Sequence, residues 1–195
     1  STGSVILDGK RRQFRSPADA IKAGIVYVPE ERGKQGIVAD LPIYQNVSLP
    51  SLHKTSRNGV LQLAEEFALA REFTERLDLR ASSLSQPTGT LSGGNQQKVV
   101  VAKWLATQPR VIILDEPTKG VDIGSKAAVH AFMGDLVAQG LSVIMVSSEI
   151  PEVLGMSDRV VVMREGLIVD TKANDGTLTA EQLVMTAAGI FGAAA

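Results

Sequence analysis

Leu91-Ser92-Gly93-Gly94-Asn95-Gln96-Gln97-Lys98 and, further along, Val111-Ile112-Ile113-Leu114-Asp115-Glu116-Pro117-Thr118 decide how this chain folds. The second string is an apolar run that stops abruptly at two carboxylates and a proline. Such a run suits a strand buried on both faces of a helix-covered sheet. Ligands over an open α/β sheet bind beyond the carboxyl ends of its strands, so Asp115 and Glu116 stand where chemistry is done. The first string places paired glycines at the start of a helix expected over about Gly94 to Thr107. Without Cβ atoms an anion can approach the backbone, and the helix aims free N–H groups and its positive dipole end at that anion.

Outward from these strings the chain alternates strand and helix. Val5 to Leu7, Asp8-Gly9 and Lys10 to Phe14 read as a hairpin, since Asp-Gly suits the positive backbone angles of a two-residue turn. A short helix follows, with Ser16 as N-cap, Pro17 at its first position and Gly24 at its end. Ile25-Val26-Tyr27-Val28 is a strand stopped by Pro29, and Glu30 to Gly36 reads as a mobile loop. Between Leu41 and Gln108 the pattern turns helical, with Phe67, Ala70, Thr74 and Leu77 on one face and charges, Glu66 among them, elsewhere. Ser125 to Gln139 is expected as a helix burying Val129, Phe132, Met133 and Leu136. Leu141 to Val146 and Arg159 to Met163 are expected as further buried strands. Leu167 to Thr171 follows a turn, and a last helix near Thr179 to Ala188 precedes a small-residue tail. The expectation is an α/β core interrupted by a helical insertion.

Composition narrows the classes. At 195 residues the chain fits one domain with a sizeable core. There is no cysteine, which excludes disulfides. Lys+Arg 20 against Asp+Glu 21 gives a net charge of -1, so nothing in the overall field favours nucleic acid. No apolar run approaches the roughly 20 residues of a membrane span, so a membrane role has to come through a partner. Lys10-Arg11-Arg12 reads as a solvated hairpin face, and His53 and His130 have no ligand set at metal-binding spacing. Trp104 reads as core. Leu41, Ile43 and Tyr44 suit either a partner contact or local packing.

Asp115 at a strand end is placed to hold Mg²⁺, largely through water because this hard cation keeps part of its hydration shell. Glu116 is placed to orient and deprotonate an attacking water, a role that contributes about 10²–10⁴-fold. Ser92 adds a hydroxyl donor beside Gly93 and Gly94.

Together with Gly120-Val121-Asp122, these strings resemble the signature motif, Walker B strand and D-loop of an ATP-binding cassette (ABC) ATPase. More narrowly, the chain resembles the second cassette of the tandem-cassette subunit of bacterial simple-sugar ABC importers, the ribose, galactose and xylose type. Gly24 to Glu30, Asp115 to Asp122 and Val146 to Leu154 also stand where that family has such strings. The resemblance implies a P-loop NTPase core with a helical insertion: one domain over 1–195, its α/β lobe at 1–40 and 108–195 and its signature subdomain at 41–107. It implies ATP with Mg²⁺, Glu116 as catalytic base, and Asp115 and Glu30 at the metal. Ser92, Gly93, Gly94, Asn95, Gln96, Asp122 and Ser148 would contact nucleotide, the signature acting in trans on ATP held by a partner cassette. Partners would be a second cassette and transmembrane permease subunits, at the cytoplasmic face of the cell membrane, with no nucleic acid.

Four departures matter. Relative to a general ABC cassette, Asn95 replaces the usual signature glutamine, a change typical of the sugar-importer subfamily. Glu30 replaces the Q-loop glutamine with an acceptor-only anion. Ser148 stands where a switch histidine contacts the γ-phosphate. Finally, the pattern G-x-x-x-x-G-K-[ST] occurs nowhere, Gly9-Lys10 and Gly33-Lys34 both lacking the upstream glycine spacing, so the phosphate loop and the adenine-stacking aromatic are expected upstream of this segment. The segment alone is accordingly expected to be inactive. Two alternatives stand beside the importer reading: a non-hydrolysing cassette that only completes its partner's site, and an ABC ATPase not tied to transport.

Overall fold

The computed structural model describes residues 4–120 and 123–190. Its centre is a parallel sheet of three strands, β3 (Ile25–Val28), β6 (Val111–Asp115) and β7 (Ser142–Val146), with β6 in the middle. Pairing runs Ile25 to Val111 and Val28 to Leu114 on one side, and Val111 to Ser142 and Asp115 to Val146 on the other. Because side chains alternate along a strand, this register sorts the sheet into two faces. Val26, Ile112 and Val143 share one face with Val28, Leu114 and Met145, and that face belongs to the main core. Helix α4 (Gly93–Leu105) contributes Val99, Val100 and Ala102 to it, and α5 (Ile123–Ala138) contributes Met133 and Leu136. Each aliphatic side chain so buried contributes about 1.5–3 kcal/mol relative to exposure.

The other face departs from expectation. Tyr27, Ile144 and Val146 are 46, 51 and 49% exposed. This side of the sheet is therefore less covered than the core side, with Ile25, Val111 and Ile113 half-buried between the exposed positions. The strand expected at Arg159 to Met163 also differs. β8 (Arg159–Arg164) does not join the sheet but pairs with β9 (Leu167–Ala173) in a separate antiparallel ribbon, burying only Val160 and Val162 against α6 (Ile150–Met156) and α7 (Ala180–Ala188). Thr179 caps α7 in a reciprocal box with Gln182.

The first hairpin forms as expected, β1 (Val5–Leu7) and β2 (Lys10–Arg12) turning through Asp8 and Gly9 at φ 52° and 70°. Helix α1 (Pro17–Lys22) takes Ser16 as its N-cap. Between Leu41 and Gln108 lie α2 (Ile43–Ser48), α3 (Leu63–Arg76) and α4, with a hairpin of β4 (Ser56–Arg57) and β5 (Val60–Leu61) that the helical pattern concealed. Its turn is Asn58-Gly59, the strongest short-range hairpin signal. Glu66 is buried, not solvated, because Ser48 donates to its carboxylate at 2.6 Å. Ile43 is fully buried and Tyr44 stacks on Phe67, so both side chains serve local packing.

Arg32–Gly36 is a π-helical turn and not an open loop. Gly36 lies so close to α4 that a Cβ there would stand 2.7 Å from Val100. The buried Lys103 ammonium donates to the Gly36 carbonyl at 2.9 Å. No helix among the described residues is long and apolar enough to cross a membrane.

The approach to α2 is held by one side chain. Asn46, fully buried, accepts from the Val38 amide at 2.8 Å and donates to the Val38 carbonyl at 2.9 Å and the Thr88 hydroxyl at 2.9 Å. Asn46→Ala leaves these groups buried and unpaired, and it is expected to lower the unfolding free energy by about 2–4 kcal/mol. Denaturant titration of the purified protein measures this, and an unshifted midpoint would refute the clamp.

Candidate functional site

Parallel strands put their carboxyl ends on the same edge of the sheet, and this brings three chain segments to one place. Beyond β3 comes Pro29-Glu30, beyond β6 Glu116, and beyond β7 Ser147-Ser148. Glu116 continues the ladder by donating its amide to the Val146 carbonyl at 2.8 Å, then leaves the strand at φ 46°. A left-handed backbone at a residue with a side chain costs of order 1–3 kcal/mol and marks a position held by its surroundings. Here the holder is visible: the Ser148 amide donates to Glu116 Oε1 at 2.8 Å. The structure thus gives Ser148 a backbone role that its hydroxyl side chain did not announce.

Asp115 accepts a hydrogen bond from the Tyr27 hydroxyl at 2.6 Å on Oδ2. That bond, with burial and the charges of Asp115 and Glu30, raises the Tyr27 phenol above its ordinary value of 10.0. Sequence reasoning missed Tyr27, although its strand position opposite Ile113 and one residue before the strand end carried the signal. Glu30 pairs with the Lys119 ammonium at 2.6 Å. The Glu30 hydrogen bond and charge, with smaller contributions from Glu116 and Asp115, raise Lys119 above the ordinary amine range. Lys119 is a second residue the sequence reading did not single out.

The oxygen donors fit Mg²⁺ in part. Asp115 keeps Oδ1 apart from the Tyr27 bond. Among the described residues there is no cluster of three or more metal-ligating side chains. A cation held here needs water and phosphate oxygens to complete its shell, which is the habit of Mg²⁺ and not of Ca²⁺.

The signature residues lie at the amino end of α4. Ser92 occupies the N-cap position without making a capping bond. Its hydroxyl accepts instead from Asn95 Nδ2 at 3.0 Å, which leaves its own proton to donate. Asn95 in turn accepts from the Arg80 amide at 3.0 Å, so Asn95 is itself held where it orients Ser92. Gln96 turns back to the Leu91 carbonyl at 3.1 Å and closes the loop before the helix. The two glycines differ. A Cβ on Gly93 would stand 2.7 Å from the Arg32 guanidinium, whereas a Cβ on Gly94 would meet nothing. Gly94 therefore leaves open space above the helix start that no described residue fills. Val121 and Asp122 lie outside the described residues, as do Thr2 and Gly3 and the end of the tail.

One polar cluster lies behind the strand ends. The Glu152 carboxylate, 3% exposed, sits 2.9 Å from His130 Nε2 and accepts from the Ser147 hydroxyl at 2.5 Å. Burial pushes this carboxyl up, but hydrogen bonds from Ser147, His130 and Thr118 outweigh it and hold Glu152 below the usual carboxylate range. An ionised carboxylate only accepts, so Nε2 of His130 carries the proton.

The carboxylate pair at the end of the central strand, the glycine-led helix start and the turn after the neighbouring strand lie together on this fold. The family described as ABC transporter matches residues 1–119, and the chain belongs to that family. It is 72% identical over 190 residues to ribose import ATP-binding protein RbsA 1 of Rhizobium meliloti (strain 1021), covering 97% of this chain and 38% of that protein. It is 68% identical over 190 residues to ribose import ATP-binding protein RbsA of Jannaschia sp. (strain CCS1), with 97% and 37% covered. The chain thus spans less than two-fifths of the length of these relatives. Its fold matches the ATP-binding cassette MJ0796, solved as a dimer in a post-hydrolysis state with ADP and Pi, at TM-score 0.74 and 23% identity over 90% of this chain and 75% of that one. It also matches the ABC transporter cassette MJ1267 in its ADP conformation, at TM-score 0.72 and 22% identity over 96% and 77%.

The Tyr27 bond yields a titration. A raised pKa means that the folded protein keeps the phenolic proton, and with it the bond to Asp115, through pH 10, losing both only above it. The phenolate absorbance difference between the wild-type protein and Tyr27→Phe is expected to have its midpoint above 10.0. A midpoint at or below that value would show that Tyr27 does not donate to Asp115.

Proposed function

We propose that this chain is the greater part of one cassette of a bacterial sugar importer's ATPase subunit, the second of two in the same protein. The observation that carries the reading is the convergence of Asp115, Glu116 and the Ser148 amide at the carboxyl ends of β6 and β7. Residues 1–40 and 108–195 are read as the α/β lobe and 41–107 as the signature subdomain. The phosphate loop is assigned to a segment outside these residues. Two observations support that assignment: the motif is absent from the sequence, and apolar side chains of the outer sheet face, Tyr27, Ile144 and Val146, are exposed. A strand on the free edge of β7 and a helix over that face would complete the sheet and satisfy its backbone groups.

In this reading Glu116 accepts the proton of the attacking water, its carboxylate held in place by the Ser148 amide. Asp115 would hold Mg²⁺, which would supply positive charge against the phosphate oxygens of nucleotide. Glu30 approaches the same site with Lys119 on it, so its negative charge is already balanced. On the other surface Ser92, the amide groups at Gly93 and Gly94, and the space over Gly94 receive the phosphates of ATP held by the partner cassette, with Asn95 and Gln96 shaping the loop and Asp122 at the shared seam. Closure of the pair would drive the permease subunits, at the cytoplasmic face of the membrane.

A second reading, in which this cassette completes its partner's site without hydrolysing, is favoured by Ser148 in place of histidine and by the Glu30–Lys119 pair. The two separate experimentally in the full-length subunit. Glu116→Gln is expected to lower ATP turnover at this site by about 10²-fold or more while nucleotide still binds. Unchanged turnover would sink the base role in favour of the second reading. Ser92→Arg is expected to fill the start of α4 and silence the partner's site instead. Retained partner-site turnover in that variant would refute action in trans.

A further inference from the structure

Burying an ionised carboxylate costs several kcal/mol unless its oxygens are satisfied, so the placement of Glu152 calls for a reason. Its partners come from three different segments: Thr118 after β6, His130 on α5 and Ser147 at the end of β7. The Ser147 arm leads onward to the turn after β7. Ser147 Oγ donates to Glu152 and accepts from the Glu149 amide at 3.0 Å, which closes the turn between β7 and α6 into a fixed shape. The residue at the middle of that turn is Ser148, whose amide holds the Glu116 carboxylate. The bond from the Lys126 ammonium to Glu149 at 2.6 Å anchors the far side of the turn to α5.

We propose that Glu152 is a positioning residue for hydrolysis: through the Ser147 hydroxyl it sets the Ser147–Glu149 turn so that the Ser148 amide keeps the Glu116 carboxylate in one orientation. The role matters here because no imidazole at Ser148 is present to organise the switch turn from the nucleotide side. This inference rests on the reading of Glu116 as base. Without the Glu152 acceptor, the Ser147 hydroxyl rotates freely, the turn loosens and Glu116 samples rotamers that point away from the water.

The test uses the full-length subunit. Glu152→Ala and Ser147→Ala are each expected to lower kcat for ATP about 10- to 100-fold with KM within about twofold, the split that marks loss of a transition-state arrangement. Glu152→Gln keeps the side chain's size and one acceptor oxygen and is expected to restore part of kcat. His130→Ala removes another partner of Glu152 but leaves the Ser147–Glu149 turn closed, and its kcat is expected to stay within about twofold of wild type. In a Glu116→Gln background, Ser147→Ala adds no further loss, because the group it positions is already gone. Amide exchange over residues 147–149 is expected to quicken about tenfold or more in Ser147→Ala and not in His130→Ala. Should Glu152→Ala fail to fold, Ser147→Ala carries the test. Wild-type kcat in Ser147→Ala, or an equal loss in His130→Ala, would overturn the positioning role while Glu116→Gln still lowers turnover. If Glu116→Gln itself leaves turnover unchanged, the base reading falls and this inference with it.

Discussion

Everything at the site depends on the backbone of β6 being paired on both sides, in parallel, to β3 and β7. Parallel pairing puts the carboxyl ends of all three strands on the same edge of the sheet, and the register then decides what meets. Tyr27 lies beside Ile113, within reach of Asp115, and the Val146 carbonyl receives the Glu116 amide. A slip of one residue would exchange the two faces, sending Ile112 and Leu114 outward and breaking the ladder at Glu116. The positive φ of Glu116 is tolerated because two hydrogen bonds, one from its own amide and one to its carboxylate, over-determine its position.

The second constraint joins this sheet to the signature helix. The chain leaves β3 at Glu30 and immediately winds into the Arg32–Gly36 turn, which touches α4 at three levels. Arg32 lies over Gly93, Gly36 lies against Val100, and Lys103 donates back to the Gly36 carbonyl. Burial pushes the Lys103 ammonium pKa down, yet its hydrogen bond keeps the group paired. Glu30 is therefore joined to the start and middle of α4 by a short run of packed contacts. Asn46 fixes the following segment, so the connection is short and stiff on both sides.

Much of this was legible in the residues. The hairpin at Asp8-Gly9, the Ser16 cap, the strand at Ile25 to Val28, the helix after Ser92 and the strand ending in Asp115-Glu116 all followed from local rules of turn chemistry, capping and periodicity. The second hairpin was legible too, at Asn58-Gly59, but the surrounding helical pattern masked it. Other features were not legible, because they depend on contacts between residues far apart in the chain. Glu66 looked like a solvated charge until Ser48 was seen beside it, and Arg159 to Met163 looked like a sheet strand until its partner proved to be β9. The exposure of Tyr27, Ile144 and Val146 on the outer face of the sheet reflects what packs over it, which an apolar strand sequence does not record.

The amino-acid sequence by itself determined the class of this protein, because the signature and strand-end strings combine residue types and spacings that phosphate and water chemistry demand locally. Only the tertiary structure decided how those residues are held. Tyr27 on Asp115, Lys119 on Glu30, Asn95 on Ser92, and Glu152 acting on Ser147 are pairings set by strand register and helix packing. The physical reason is that hydrogen bonds and ion pairs are short-ranged and directional. Their partners are chosen by where the folded backbone delivers each side chain, to within a few tenths of an ångström.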